Sequence, residues 1–350
     1  MRFHATTAVA ALLALSGCAT TTEVAIPQGS AARGDPARPV PAAVETVVTT
    51  DPAVDADDPA FWADPRDPSR AVIFGTDKSD GLYVHDMDGS VRQFFGDGPM
   101  NNVDLRPGFV VDGRDYVLVA ATDRRRFGIM TYLLDPDTLE TRPYGFIPAT
   151  DMGEPYGFCM ARAGEAFFLI PNNKEGEVRQ YRVTAGAGGP SATLERTMRV
   201  GSQPEGCVAD DEAGQLYVGE EDVGIWRFAL SGETAGTRIA MADGRRLTAD
   251  VEGLAIMRDR GAKYLIASSQ GDSTYPVWRI TAEGYDYVGR FAIEGGAIDS
   301  VTSTDGVDAW SGPIGPFPEG AIGVHDTDDG QGQQNYKIVD WREIRRALGL

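Results

Sequence analysis

Apolar positions along the chain fall into short runs, each closed by a polar turn. Ala71–Asp77 (AVIFGTD), Asp115–Asp123 (DYVLVAATD), Glu165–Asn173 (EAFFLIPNN), Gln215–Asp222 (QLYVGEED), Lys263–Gln270 (KYLIASSQ) and Ala321–Asp326 (AIGVHD) all read as strands. Most are followed by a second strand-like run: Gly81–Met87, Ile129–Leu134, Val178–Val183, Gly224–Leu230 and Val277–Thr281. With Thr76, Thr122, Asn172, Glu220 and Ser269 as anchors, the steps are 46, 50, 48 and 49, and a last step of 57 reaches Asp326. A second series precedes the first. It runs through Asp58, Asp104, Tyr156, Glu205, Glu252 and Asp308, in steps of 46, 52, 49, 47 and 56. Two series with one period mark a repeated four-stranded unit, the signature of a β-propeller. Six repeats predict an all-β, six-bladed propeller of four-stranded antiparallel blades. An all-β sandwich would also give many short strands, but not two parallel ladders of this length. Glu45–Thr50 is a spare strand placed to complete the last blade, and Trp341–Leu350 reads as a short helix.

The first residues have a different character. Met1–Arg2 is a basic start, and Val9–Leu15 (VAALLAL) is an apolar run too short to span a bilayer. Together they read as a secretory signal. Leu15-Ser16-Gly17-Cys18 resembles the lipobox of bacterial lipoproteins, which implies that Cys18 is lipidated. The expected layout is a signal over 1–17, a flexible tether over 18–43 and the propeller over 44–350. The implied location is the cell envelope, or the medium after release. Ala19, where an Asp marks inner-membrane retention, favours the outer membrane. Cys159 and Cys207 lie 48 residues apart, and either a disulfide or two small buried side chains fits them.

Charge sharpens the picture. The 350 residues carry 52 Asp and Glu against 32 Lys and Arg, a net charge of −20. Nucleic acid is excluded as a general partner, because duplex binding depends on cations that neutralise phosphates. Hydrophobic content of 42% supplies a core and excludes wholesale disorder.

Equivalent positions of successive blades form rings around a propeller axis. Lys78, Arg124 and Lys174 each follow their anchor by two residues, making a cationic arc suited to phosphate. Asp58, Asp104, Glu205, Glu252 and Asp308 occupy ring positions, with Glu220, Glu221 and Asp250 nearby. Carboxylates so crowded raise one another's pKa unless a cation neutralises them, and oxygen-only donors select a hard ion such as Ca²⁺. Only His85 and His325 lie outside the signal, with no G-x-S-x-G, P-loop or dinucleotide motif. Cations, acids and no histidine nucleophile add up to metal-assisted phosphoryl transfer to water.

The segments DDPAFWADPRDPS (57–69), GTDKSDGLYVHDMDG (75–89), NNVDLR (101–106), EPYGFCM (154–160), SQPEGCVADDEAGQLYVGEEDVGIWRF (202–228), ADGRRLTADVEGLAI (242–256), TDGVDA (304–309) and QNYKIVDW (334–341) resemble the β-propeller phytases. The resemblance implies a Ca²⁺-dependent phosphatase acting on phytate, free or as its calcium complex, and a monomer is expected. It implies that Asp104, Tyr156, Glu205, Glu252 and Asp308 surround the catalytic metal cluster. Lys78, Arg124, Lys174 and Gln270 would contact substrate. Asp58, Glu221, Asp250, Asp305 and Asn335 complete the implied metal ligands. Arg125 and Arg126 extend Arg124, so which arginine faces the site stays open. A lactonase, or a non-catalytic binding module pinned by calcium, is the alternative; neither needs three cations on three successive blades.

Overall fold

The computed structural model describes residues 35–47, 55–186, 188–328, 330 and 333–350. Cys18, the signal and most of the tether lie outside them. Six sheets radiate from one axis. Blade 1 comprises Ala56–Asp64, Asp67–Asp77, Gly81–Asp86 and Val91–Phe95. Blade 2 comprises Met100–Val111, Arg114–Asp123, Gly128–Leu134 and Thr141–Pro148. Blade 3 comprises Phe158–Ala163, Ala166–Pro171, Glu177–Gly186 and Gly189–Arg199. Blade 4 comprises Pro204–Asp210, Gln215–Glu220, Gly224–Ala229 and Thr237–Met241. Blade 5 comprises Val251–Asp259, Ala262–Ser269, Tyr275–Ile280 and Tyr285–Ile293. Blade 6 comprises Val307–Ser311, Gly320–Asp326 and Asn335–Asp340. In each, the first strand is innermost, and adjacent inner strands touch around the full circle.

Blade 6 takes its outer strand from the other end of the chain. Val44–Glu45 pairs antiparallel with Asn335–Asp340, which closes the ring. Arg38–Val40, expected to be tether, adds a fifth, parallel strand to the outer edge of blade 5. The helix Trp341–Leu348 is capped by Asp340, whose Oδ1 accepts from Arg342 N at 2.9 Å. Its Trp341 and Ile344 are buried against blades 5 and 6. Among the described residues, no helix is long and apolar enough to cross a membrane.

The near-continuous apolar runs follow from the architecture. Each blade is covered on both faces, so both sets of alternating side chains are buried. In the second strand of blade 1, Val72 and Phe74 pack with blade 2 around Val103, Val119 and Tyr132. Ala71 and Ile73 point the other way, to Ile314, Ala321 and Ile338 of blade 6. Six such clusters fill the six gaps between blades.

Polar side chains staple the blades near the axis. Thr122 Oγ1 of blade 2 donates to Tyr156 O of blade 3 at 2.9 Å. Asn172 Nδ2 of blade 3 donates to Glu205 O of blade 4 at 2.7 Å, and Thr76 Oγ1 of blade 1 bonds Asn101 O of blade 2. Ser268 Oγ of blade 5 donates to Thr304 O at 2.9 Å. Cys159 and Cys207 form a disulfide that joins the inner strands of blades 3 and 4. It closes 48 residues of chain, so replacing both cysteines with alanine should lower unfolding free energy by about 2–4 kcal/mol. Chemical denaturation with and without reductant measures this; equal midpoints for the two proteins would refute it.

Candidate active site

Strand register identifies the equivalent residues. Pro59, Val103, Phe158, Cys207, Leu254 and Val307 pair with matching positions of their second strands, Gly75, Ala121, Pro171, Val218, Ala267 and Val324. Two residues before each lie Asp57, Asn101, Tyr156, Glu205, Glu252 and Asp305. These six form the ring at one mouth of the axis. Asp58 lies one residue beyond the ring, and Asp104 and Asp308 three residues beyond it.

Glycine lets the ring close. Gly206 and Gly253 follow Glu205 and Glu252. A Cβ on Gly206 would lie 2.1 Å from Glu252 O, and one on Gly253 2.3 Å from Val307 N. The backbones therefore approach closer than any side chain permits, which draws the carboxylates together.

Carboxylate oxygens of Glu205, Glu221 and Glu252 all lie within 4.8 Å of one another. Glu221 stands on the turn after the second strand of blade 4, oriented by Gln203 Nε2 at 2.6 Å. Asn101 Nδ2 donates to Glu205 Oε1 at 2.7 Å. Lys78 Nζ reaches Asp305 Oδ2 at 2.9 Å and Asp57 Oδ1 at 3.3 Å, while Gln270 Nε2 bonds Asp305 Oδ1. Burial pushes Glu252 well above its ordinary range, and Glu205 adds to this. Burial likewise raises Asp57. Glu221 is pushed up to about 7 by burial and by the charges of Glu205, Asp250 and Asp222, against the lowering effect of Gln203. Burial and the charge of Asp222 raise Asp250. Burial, Glu205 and Glu252 raise the Tyr156 phenol far above its usual value.

Two buried oxygens in this group, Asp57 Oδ2 and Glu252 Oε2, have no hydrogen-bond partner. Uncompensated buried acceptors, crowded carboxylates and an all-oxygen donor set fit a hard divalent cation. Asp57, Glu205, Glu221, Glu252 and Asp305 are the residues that would hold it, with Asp250 beside them.

Asp58, Asp104 and Asp308 do not join this group. They line an axial channel of about 190 Å³, together with Arg106 and Asp211. Each accepts a backbone N–H from the next blade: Asp58 from Val103 at 3.1 Å, Asp104 from Met160 at 2.7 Å and Asp308 from Phe61 at 2.7 Å. Arg106 adds bonds to Asp104 Oδ1 and Asp211 Oδ2, both at 2.8 Å. These acids work as blade staples, and Arg106 neutralises Asp104 together with Asp211. Asn335 stands apart in blade 6, with Oδ1 unpartnered and Nδ2 3.3 Å from Glu45 Oε2.

The cations face the mouth from blades 1 to 3. Arg124 Nε bonds Glu154 Oε1 at 2.7 Å, and its guanidinium lies 5.5 Å from the Tyr156 ring centre. Lys174 Nζ lies 4.4 Å from the same centre. Arg126 is committed to Asp123 and the Phe146 ring, so Arg124 is the arginine that faces the site. Acids on blades 4 to 6, with Asp57, oppose a cationic arc on blades 1 to 3.

Residues 3–350 match the family model described as Phytase. The chain belongs to the phytase family. The 3-phytase of Bacillus subtilis (strain 168) is 37% identical over 312 residues, covering 84% of this chain and 81% of that one. Among solved structures, a hydrazine synthase of Kuenenia stuttgartiensis shares 12% identity at a TM-score of 0.48, over 79% of this chain and 82% of that one. The Cps50 (Swd1) β-propeller domain of Myceliophteria thermophila shares 11% at 0.47, over 81% and 83%. Those two likenesses carry no functional weight.

In this member of the phytase family, the sequence reading misses Asp57 and Asn101 as ring members. It also takes Asp104 and Asp308 from three residues too far along their strands. A signal was present: Tyr156, Glu205, Glu252 and Asp305 each precede a glycine.

Arg106 neutralises two acids at once. Arg106→Met should cost about 2–4 kcal/mol, somewhat below a fully buried pair because Asp211 is 32% exposed. An unchanged denaturation midpoint would exclude that role. The raised carboxylates predict an inverted pH response in chelator. A glutamate with a folded pKa near 7 and an ordinary value of 4.5 favours the fold at low pH and ceases to as pH rises. The melting temperature of chelated protein should therefore fall between about pH 4.5 and 7, and Glu221→Gln should flatten the fall. A melting temperature that climbs over that interval would contradict the assignment.

Proposed function

We propose that the chain hydrolyses phosphate monoesters of phytate to lower inositol phosphates and free phosphate, and that it does so with Ca²⁺. The observation that carries this is the divided mouth: an oxygen-only acidic cluster facing three cations around Tyr156, in a chain of the phytase family. The similarity to the Bacillus subtilis 3-phytase supports it. Asp57, Glu205, Glu221, Glu252 and Asp305 would hold the divalent cation, which would supply a Lewis acid to lower the pKa of water and offset phosphate charge.

The chain's own residues do the rest. Arg124 offers a planar fork and Lys174 a point charge to the phosphate oxygens, and both lie against the Tyr156 ring. The phenol, held protonated by burial and by its acidic neighbours, remains a donor across neutral pH. Lys78 bridges the two halves, because its ammonium already bonds Asp57 and Asp305. A net charge of −20 would repel phytate, and cations bound at the acidic cluster would reverse that sign locally.

The signal-like start and Leu15-Ser16-Gly17-Cys18 support export with a lipid anchor on Cys18, in the outer membrane or with later release. We read the protein as a monomer.

The test is phosphate release from phytate beside a lactone assay. Dialysis against chelator should abolish release, and Ca²⁺ should restore it. Arg124→Glu or Lys174→Glu should lower kcat/KM by about 10- to 100-fold while keeping the Ca²⁺-dependent rise in Tm. Full activity in excess chelator would sink the mechanism. Lactone hydrolysis without phosphate release would move the assignment to a lactonase.

A further inference from the structure

Glu154 contributes no oxygen to the acidic cluster, yet it touches the cationic arc. Its Oε1 accepts from Arg124 Nε at 2.7 Å and lies 3.7 Å from Lys174 Nζ. One carboxylate oxygen thus bridges both cations beside the Tyr156 ring. A phosphate oxygen docking on Arg124 and Lys174 needs that same position.

The segment that presents Glu154 is held on both sides. Asn173 Nδ2 donates to Met152 O at 2.7 Å, and Tyr156 N donates to Asn172 O at 2.7 Å. Pro155 follows directly, which restricts the backbone of Glu154 as well as its own. The backbone that presents this carboxylate is therefore held beside the cations. At 31% exposure it is reachable by solvent and by a competing anion.

We propose that Glu154 is a built-in competitor for the substrate phosphate and sets a charge threshold for what the site accepts. An anion must displace the carboxylate from Arg124 and Lys174. Net charge there is +1 with Glu154 in place, from two cations and one carboxylate. A multiply charged phosphomonoester can outbid one carboxylate where a singly charged ester or carboxylic acid cannot. The inference rests on the phosphatase reading of the site, and it names the residue that selects for dianionic phosphate.

The experiment uses the metal-loaded full chain and its Glu154→Gln, Glu154→Ala and Glu154→Asp variants. Inorganic phosphate binding is measured by calorimetry, and KM with phytate by phosphate release. Removing the charge should tighten phosphate and lower KM by about three- to tenfold, the scale of one or two half-exposed ion pairs. Glu154→Gln and Glu154→Ala should agree, and Glu154→Asp should stay near wild type. If Glu154 instead orients Arg124, Glu154→Ala weakens phosphate binding, and the proposal fails. It fails equally if Glu154→Gln leaves Kd and KM unchanged. A wild-type chain that releases no phosphate from phytate overturns the phytase reading, while the phosphate calorimetry still decides the role of Glu154.

Discussion

The site depends on a hydrogen bond repeated between neighbouring blades. A side chain at the end of one blade's second strand reaches the backbone at the start of the next blade's inner strand. Thr76, Thr122 and Asn172 make it to the carbonyls of Asn101, Tyr156 and Glu205. At the matching position of blade 4, Gly219 has no side chain, and its backbone packs against Val251 and Glu252. In blade 5, Ser268 Oγ donates to Thr304 O, next to the ring residue Asp305, at 2.9 Å. The side-chain contacts hold ring residues, or the residue beside one, by the main chain and leave the ring side chains to face the axis. Placement to within a fraction of an ångström needs that kind of support, since metal and phosphate sites lose function when their holders drift.

On this frame the sixfold repeat is broken by chemistry. Blades 1 to 3 carry Lys78, Arg124 and Lys174 at the position where blades 4 and 5 carry Glu221 and Gln270. The same backbone geometry thus serves two opposite electrostatic tasks side by side. The two halves are not insulated: Lys78 leans on Asp57 and Asp305, and Glu154 leans on Arg124 and Lys174. Before any ligand arrives, acids hold all three cations. Below the mouth, Arg106 neutralises the channel with a side chain in place of an ion.

Much of this was legible in the sequence. A period near 50 residues gave the six blades, the cationic arc, and Tyr156, Glu205 and Glu252. What it lacked was register. A repeat whose steps vary by several residues tolerates a shift of three, enough to move Asp104 and Asp308 from the mouth into the channel. The glycine after four of the ring residues marks the register better than the acids do, because backbone contact admits no other residue there. Arg38–Val40 left no periodic trace, since three residues are too few for a pattern. The Cys159–Cys207 bond could not be decided from spacing, because pairing depends on which inner strands sit side by side.

Val44–Glu45 gives the molecule a beginning that waits for its end. The strand has its partner about 290 residues later, at Asn335–Asp340. Until that last stretch has been synthesised, blade 6 lacks its third strand and Val44–Glu45 has nothing to pair with, so the closing blade stays incomplete. Contacts this distant in sequence slow folding, because the loop between the partners must be closed first. The acids contributed by blades 1 and 6, Asp57 and Asp305, therefore meet those of blades 4 and 5 only once the ring has closed.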